Sequence, residues 1–133
     1  MNTAEAAVAD ALVRYERALN ASDVDKALAL YASDGVFMPQ NSPSSVGTDE
    51  IRKAYERVFK TITLRVQFRV SEVRQLAPDW AFARTNSTGT STVHATGLTS
   101  SEGNQELFIF QRIDDDWKIA RYCFSTTLRP CDG

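Results

Sequence analysis

From Thr3 to Asn20 the apolar residues Val8, Ala11, Leu12, Tyr15, Ala18 and Leu19 return at steps of three and four, with Arg14, Glu16 and Arg17 on the other side. That period lays one stripe along a helix. Ser22 with Asp25 resembles a capping box, and Val24, Ala27, Leu28 and Tyr31 continue the helical spacing until Gly35 ends it, which predicts a helix hairpin. Val36-Phe37-Met38 reads as a short strand stopped by Pro39, followed by an Asn, Ser and Pro loop to Gly47. Thr48 is the expected N-cap of a third helix, with Asp49 and Glu50 in its first turn, Arg57 and Lys60 in its last, and Ile51, Ala54, Tyr55, Val58 and Phe59 on its buried face.

Beyond Lys60 the period changes to two. Leu64, Val66, Phe68 and Val70 alternate with Arg65, Gln67, Arg69 and Ser71 as a half-buried strand, which reaches a turn at Ala77-Pro78-Asp79. Trp80 to Thr92 forms the next strand, His94 to Asn104 a Gly/Ser/Thr loop, and Glu106–Ile113 with Trp117–Thr127 a hairpin across Asp114-Asp115-Asp116. Three helices followed by a mostly antiparallel sheet define an α+β fold with the helices on one face. No repeat or linker interrupts residues 1–133, so a single domain is expected.

Composition narrows the chemistry. The 133 residues hold 43% apolar and 24% charged side chains, and 15 Lys plus Arg against 17 Asp plus Glu leave a net charge of −2. This is the balance of a soluble globular domain, with no electrostatic footprint for nucleic acid or an anionic membrane. A single histidine, His94, rules out a two-histidine metal site within one chain. No metal site and no cofactor are expected. Cys123 and Cys131 form neither a disulfide framework nor a C-x-x-C motif and read as free thiols. The N-terminal stretch, interrupted by Asp10, Arg14 and Glu16, is neither a signal peptide nor a membrane span, so a cytoplasmic location is the expectation.

The order of elements and several motifs resemble the nuclear transport factor 2-like superfamily, within it the SnoaL-like and ketosteroid-isomerase-like proteins. The residues that carry the likeness are Arg14-Tyr15, Ala18 to Asp23, Ala29 to Asp34, Gly47-Thr48 with Ile51-Arg52, and Asp116 to Arg121. Glu106-Leu107-Phe108-Ile109-Phe110 is similar to the SgcJ/EcaC-type branch, and a general likeness extends to the calmodulin-dependent kinase II association domain. The resemblance implies a cone-shaped half-barrel, with three helices packed on a curved sheet. It also implies a small-molecule pocket serving isomerases, dehydratases, cyclases or non-catalytic binding and assembly domains.

Residue by residue, the resemblance places Tyr15 as an oxyanion-hole donor and Glu106 as the counterpart of a protonated acid. The aspartate base expected on the first strand falls near Met38 or Pro39, neither of which accepts a proton. The residues themselves put Tyr15 in a buried stripe, with a hydroxyl that needs a partner. Alternation puts Glu106 on the face of Phe108 and Phe110; with those rings inward its carboxyl must be neutralised, paired or hydrogen-bonded, and the other reading is a carboxylate reaching water at the rim.

On the strand from Trp80 the resemblance turns Phe82, Arg84 and Asn86 toward the pocket, where Arg84 would pair with Glu106. The opposite parity puts Ala81, Ala83, Thr85 and Ser87 inward and Arg84 in water. Tyr31, Tyr55 and Tyr122 are further aromatic lining candidates, of which Tyr55 and Tyr122 are the ones expected to touch a ligand, and Gln40 sits at the rim. The expected ligand is a small apolar carbonyl or aromatic compound changed by proton transfer, as in isomerisation, dehydration or ring closure. The other readings are a non-catalytic ligand-binding protein and an oligomerisation module. Apolar residues on both faces of the last strands, Leu107 and Ile109 among them, suggest a homodimer through the sheet.

Overall fold

The computed structural model describes residues 1–129; Cys131, expected as a thiol, lies outside the described residues. Helix α1 (Thr3–Asn20) starts with a complete capping box: the Asn2 side chain accepts from the Glu5 amide and the Glu5 carboxylate accepts from the Asn2 amide. Its stripe from Val8 to Leu19 is buried, as its spacing predicts. Among the described residues, no helix is long and apolar enough to cross a membrane.

Three helix boundaries differ from the expectation. Helix α2 (Val24–Leu28) is capped by Asp23, whose side chain accepts from Lys26 N, while Ser22 has φ 52° in the turn. It ends well before Gly35, because Tyr31–Met38 forms strand β1. The reason is tertiary: the backbone from Leu30 onward is claimed by the last strand, with Ile119 N donating to Leu30 O. Gly35 lies so close to that strand that a Cβ would stand 3.1 Å from Ile119 O. Helix α3 (Gly47–Thr61) follows the short strand β2 (Ser45–Val46). Its N-cap is Val46 rather than Thr48, with no side-chain acceptor for the first-turn amides, and the Glu50 carboxylate accepts from Val46 N at 2.8 Å.

The remaining strands are long: β3 (Ile62–Ala77), β4 (Trp80–Val93), β5 (Thr99–Ile113) and β6 (Asp116–Thr126). The expected loop from His94 to Asn104 shrinks to a turn, because β4 and β5 pair all the way out to Thr92 and Thr99, whose hydroxyls lie 2.8 Å apart. Asp114 and Asp115 make the tight β5–β6 turn, both at positive φ. The six strands run in the order β2-β1-β6-β5-β4-β3, antiparallel except for the parallel β1–β6 pair. The sheet is curved and unclosed, and the helices cover its concave face. This is the expected α+β architecture, a nuclear transport factor 2-like fold.

Candidate functional site

The concave face carries the core, and at its centre is a cluster of aromatic rings. Tyr122 and Phe108, cross-strand partners on β6 and β5, stack at 4.0 Å with 2° between their planes. Phe37 of β1 stacks on Tyr55 and on Tyr122 at 4.9 and 5.6 Å. Tyr15 of α1 meets Phe68, Phe108 and Tyr122 edge-on. Such a cluster fixes ring positions through shape and quadrupole alignment.

Its hydroxyls are paired with each other. Tyr55 OH lies 2.6 Å from Tyr15 OH and 2.7 Å from Tyr31 OH, all three buried. Each hydroxyl has one proton, so Tyr55 donates to at most one of these neighbours and accepts from at least one. With the order Tyr31 to Tyr55 to Tyr15, the Tyr15 proton is left to point at a ligand, and each bond polarises the next. Burial raises the Tyr15 hydroxyl far above its ordinary range, opposed by the Tyr55 hydrogen bond and reinforced by the Glu106 charge. Burial likewise raises Tyr31, Tyr55 and Tyr122, so the network is neutral.

Glu106 is only 4% exposed and faces inward with Phe108 and Phe110. Arg84 does not pair with it. Thr85 and Ser87 donate instead, one hydroxyl to each carboxylate oxygen, both at 2.6 Å. Burial raises the Glu106 carboxyl above its usual range, and the two hydroxyls partly oppose that rise.

A cavity of about 170 Å³ joins these groups, lined by Tyr15, Tyr55, Tyr122 and Glu106 together with Phe37 and Phe68. Leu19, Val58, Ile62, Leu64, Val66 and Phe124 add apolar wall, and Ser87, Glu102 and Asn104 add the other polar groups. Across Phe37, Val58, Ile62 and Phe124 it adjoins an open vestibule of about 720 Å³ that carries Gln40, Glu50, Lys53 and Arg57. The vestibule is larger, but the buried carboxyl and the Tyr15 hydroxyl belong to the smaller cavity.

The other expected site residues lie elsewhere. Arg84, Phe82 and Asn86 point out of the convex face: Arg84 Nε donates to Glu72 at 3.1 Å, and Asn86 accepts from Ser71. The opposite parity holds because the space over β4 is filled by aromatic rings and α1, which leaves room only for Ala81, Ala83, Thr85 and Ser87, all buried. Phe108 is wholly buried behind the cavity wall and is not among the residues lining it. Gln40 stands at the rim, where its side-chain oxygen accepts from Thr126 N. His94 is pinned at the surface: its Nδ1 can only donate to Lys60 O, at 2.8 Å, and its Nε2 meets Thr63 Oγ1 at 2.7 Å. Among the described residues, no group of three His, Cys, Asp or Glu side chains is placed to hold a metal ion.

The Thr85 and Ser87 donors, and Glu102 and Asn104, escaped the sequence reading as site groups, while Tyr31 contributes its hydroxyl to the network rather than a ring to the cavity wall. The parity of β4 would have supplied the hydroxyls; Glu102 and Asn104 were hidden by taking the start of β5 for a loop.

A helix-covered, unclosed sheet around an aromatic cavity lined by a buried carboxyl is the architecture of the nuclear transport factor 2-like class. The chain belongs to the SnoaL-like domain family, whose profile matches residues 12–122. It is similar to a ketosteroid isomerase-like protein from Erwinia carotovora atroseptica, with 35% identity, a TM-score of 0.93, and coverage of 97% of this chain and 100% of the other. The fold is shared with a nuclear transport factor 2-like protein of unknown function from Shewanella oneidensis, at 19% identity and TM-score 0.73 over 90% of this chain and 96% of that one. It is shared too with a candidate scytalone dehydratase from Novosphingobium aromaticivorans, at 15% identity and TM-score 0.79 over 92% and 83% of the two chains.

Proposed function

We propose that this protein binds a small, largely apolar carbonyl or aromatic compound in the 170 Å³ cavity and moves a proton on it, the chemistry of isomerisation, dehydration or ring closure. The observation that carries this reading is the inward Glu106 carboxyl, raised by burial, in the same apolar cavity as the Tyr15 hydroxyl. The Tyr15 proton, supported by Tyr55 and Tyr31, stabilises charge that develops on a ligand oxygen. Glu106 is the buried acid of the pair, held by Thr85 and Ser87, while Tyr55 and Tyr122 with Phe37 and Phe68 sandwich the apolar body of the ligand.

The reading is tested with 2-naphthol, an aromatic phenol that mimics the enol of a fused cyclic ketone. Fluorescence titration is expected to show saturable binding, weakened about tenfold by Tyr15→Phe through loss of one hydrogen bond to a polarised oxygen. Equal affinity in the variant sinks the assignment of Tyr15. A second reading, a ligand-binding protein without turnover, is supported by the end of β1, where Met38 and Pro39 carry no proton acceptor. Ligand returned unchanged after long incubation with the protein favours it.

We further propose a homodimer through the convex face of the sheet, where Trp80 and Leu107 are 41% and 42% exposed beside the half-buried Phe82, Ile109 and Cys123. Light scattering at micromolar concentration measures it, and a monomeric mass contradicts it.

A further inference from the structure

The inward row of β5 begins with a carboxylate that has no assigned part. Glu102, Asn104, Glu106, Phe108 and Phe110 alternate onto the concave face, and Glu102 lines the same cavity as Tyr15 and Glu106. Four residue steps along the strand separate the backbones of Glu102 and Glu106 by about 13 Å, at about 3.3 Å per residue. The two carboxyls therefore lie at separate points along the wall of one cavity.

The cross-strand partner of Glu102 is Gly89, with φ 154°. A Cβ there would stand 2.0 Å from Arg65 O of β3, so the close approach of the two strands requires glycine, which places no side chain beside Glu102. The carboxylate overhangs the cavity with one long contact, Ser91 Oγ to Oε2 at 3.5 Å. Among the described residues, no cationic side chain forms an ion pair with it.

Its surroundings differ from those of Glu106. Glu106 is closed in by the Thr85 and Ser87 hydroxyls. Glu102 borders both the cavity and an open surface groove bounded by Gln40, Thr126, Leu128 and Arg129. A group at that boundary takes a proton from a ligand on one side and exchanges it with water on the other. Two carboxyls in one cavity with unlike surroundings divide naturally into acid and base.

We propose that Glu102 is a catalytic residue of this cavity, the base that takes a proton from carbon while Tyr15 and Glu106 hold the ligand oxygen; this rests on the proton-transfer reading above. In the step, the C–H bond next to the ligand carbonyl breaks and its proton goes to a Glu102 carboxylate oxygen. The bonding pair becomes a C=C bond, and the carbonyl pair moves onto oxygen under the Tyr15 hydrogen bond. Return of the proton to the same carbon restores the ketone, and return to another carbon isomerises it.

The test uses 2-tetralone in D2O, followed by NMR as its C1 protons exchange for deuterium, with 2-naphthol titration run beside it. The wild-type protein is expected to speed exchange above buffer, and Glu102→Gln to slow it by about a hundredfold or more, the scale of one general base. The variant's 2-naphthol affinity stays within about twofold, because the phenol presents no carbon proton to remove. Glu102→Asp, which keeps the carboxylate, restores part of the rate. Wild-type exchange in Glu102→Gln, with exchange lost in Tyr15→Phe or Glu106→Gln, overturns the role of Glu102 and leaves the pocket reading standing. Loss of 2-naphthol binding in Glu102→Gln overturns it as well, by making the residue structural. Wild-type protein that binds 2-naphthol but gives no exchange overturns the base and favours pure binding; protein that does neither overturns both readings.

Discussion

Neighbouring residues of β4 face opposite worlds. Thr85 is wholly buried and gives its hydroxyl to Glu106; Arg84, one residue earlier, lies in water against Glu72. Both faces of this strand are polar, so polarity does not say which face is which. Size does. The concave face sits under α1 and a packed layer of rings, where only Ala, Ser, Thr and Gly fit, and those same small residues leave the space that becomes the cavity. An inward Arg84 would have brought charge to Glu106; two hydroxyls instead hold it with neutral donors, so burial prevails and the carboxyl takes up protons more readily.

The contrast between the faces can be broken most severely at Phe108. Phe108→Ala removes a fully buried ring stacked on Tyr122 and is expected to cost about 3–5 kcal/mol by urea unfolding. A loss below about 1 kcal/mol would mean the concave layer is not close-packed. Next comes Thr85→Val, which keeps the shape and deletes one donor to Glu106; about 1–3 kcal/mol is expected. That loss grows as pH rises through the Glu106 titration, which burial places above its ordinary value.

The pH dependence sharpens the comparison. The Glu106 carboxyl binds its proton more tightly folded than unfolded, so its contribution is fully present below the unfolded value of 4.5 and declines as pH rises through the higher folded value. Glu106→Gln removes that slope; midpoints of urea unfolding near pH 5 and near pH 8 measure it, and an unchanged slope would place the titrating group elsewhere. On the convex side, Leu107→Lys is expected to halve the mass seen by light scattering while leaving 2-naphthol affinity intact. Arg84→Ala closes the series with an effect of about 0.5 kcal/mol or less, since an exposed pair with Glu72 contributes little.

Much of the fold could be read directly. The stripe of α1 and the alternation of β3 are strong periodic signals, and Tyr15, Tyr55, Tyr122 and the inward Glu106 follow from them once the sheet is curved. What escaped reading was decided by partners distant in sequence. The residues around Tyr31 have helical spacing, yet pairing with β6 makes them strand. Thr99 to Asn104 look like a loop because serines and glycine dominate, yet the register with β4 continues through them and carries Glu102 inward. The facing of Arg84 was ambiguous for the same reason: an alternating strand has two equivalent registers until something is packed on one side.

The parallel pairing of β1 with β6 joins the beginning of the chain to its end, from Tyr31 beside Ile119 to Met38 beside Cys123. During synthesis the hydroxyls of Tyr15, Tyr31 and Tyr55 are therefore available long before Tyr122 arrives to close over them. A nascent chain stalled ahead of β6 exposes an aromatic half-pocket and an unpaired edge of β5, both aggregation hazards. Tyr122 and Phe124 of β6 form part of the cavity wall, so the cavity is complete only once this strand has paired with both β1 and β5.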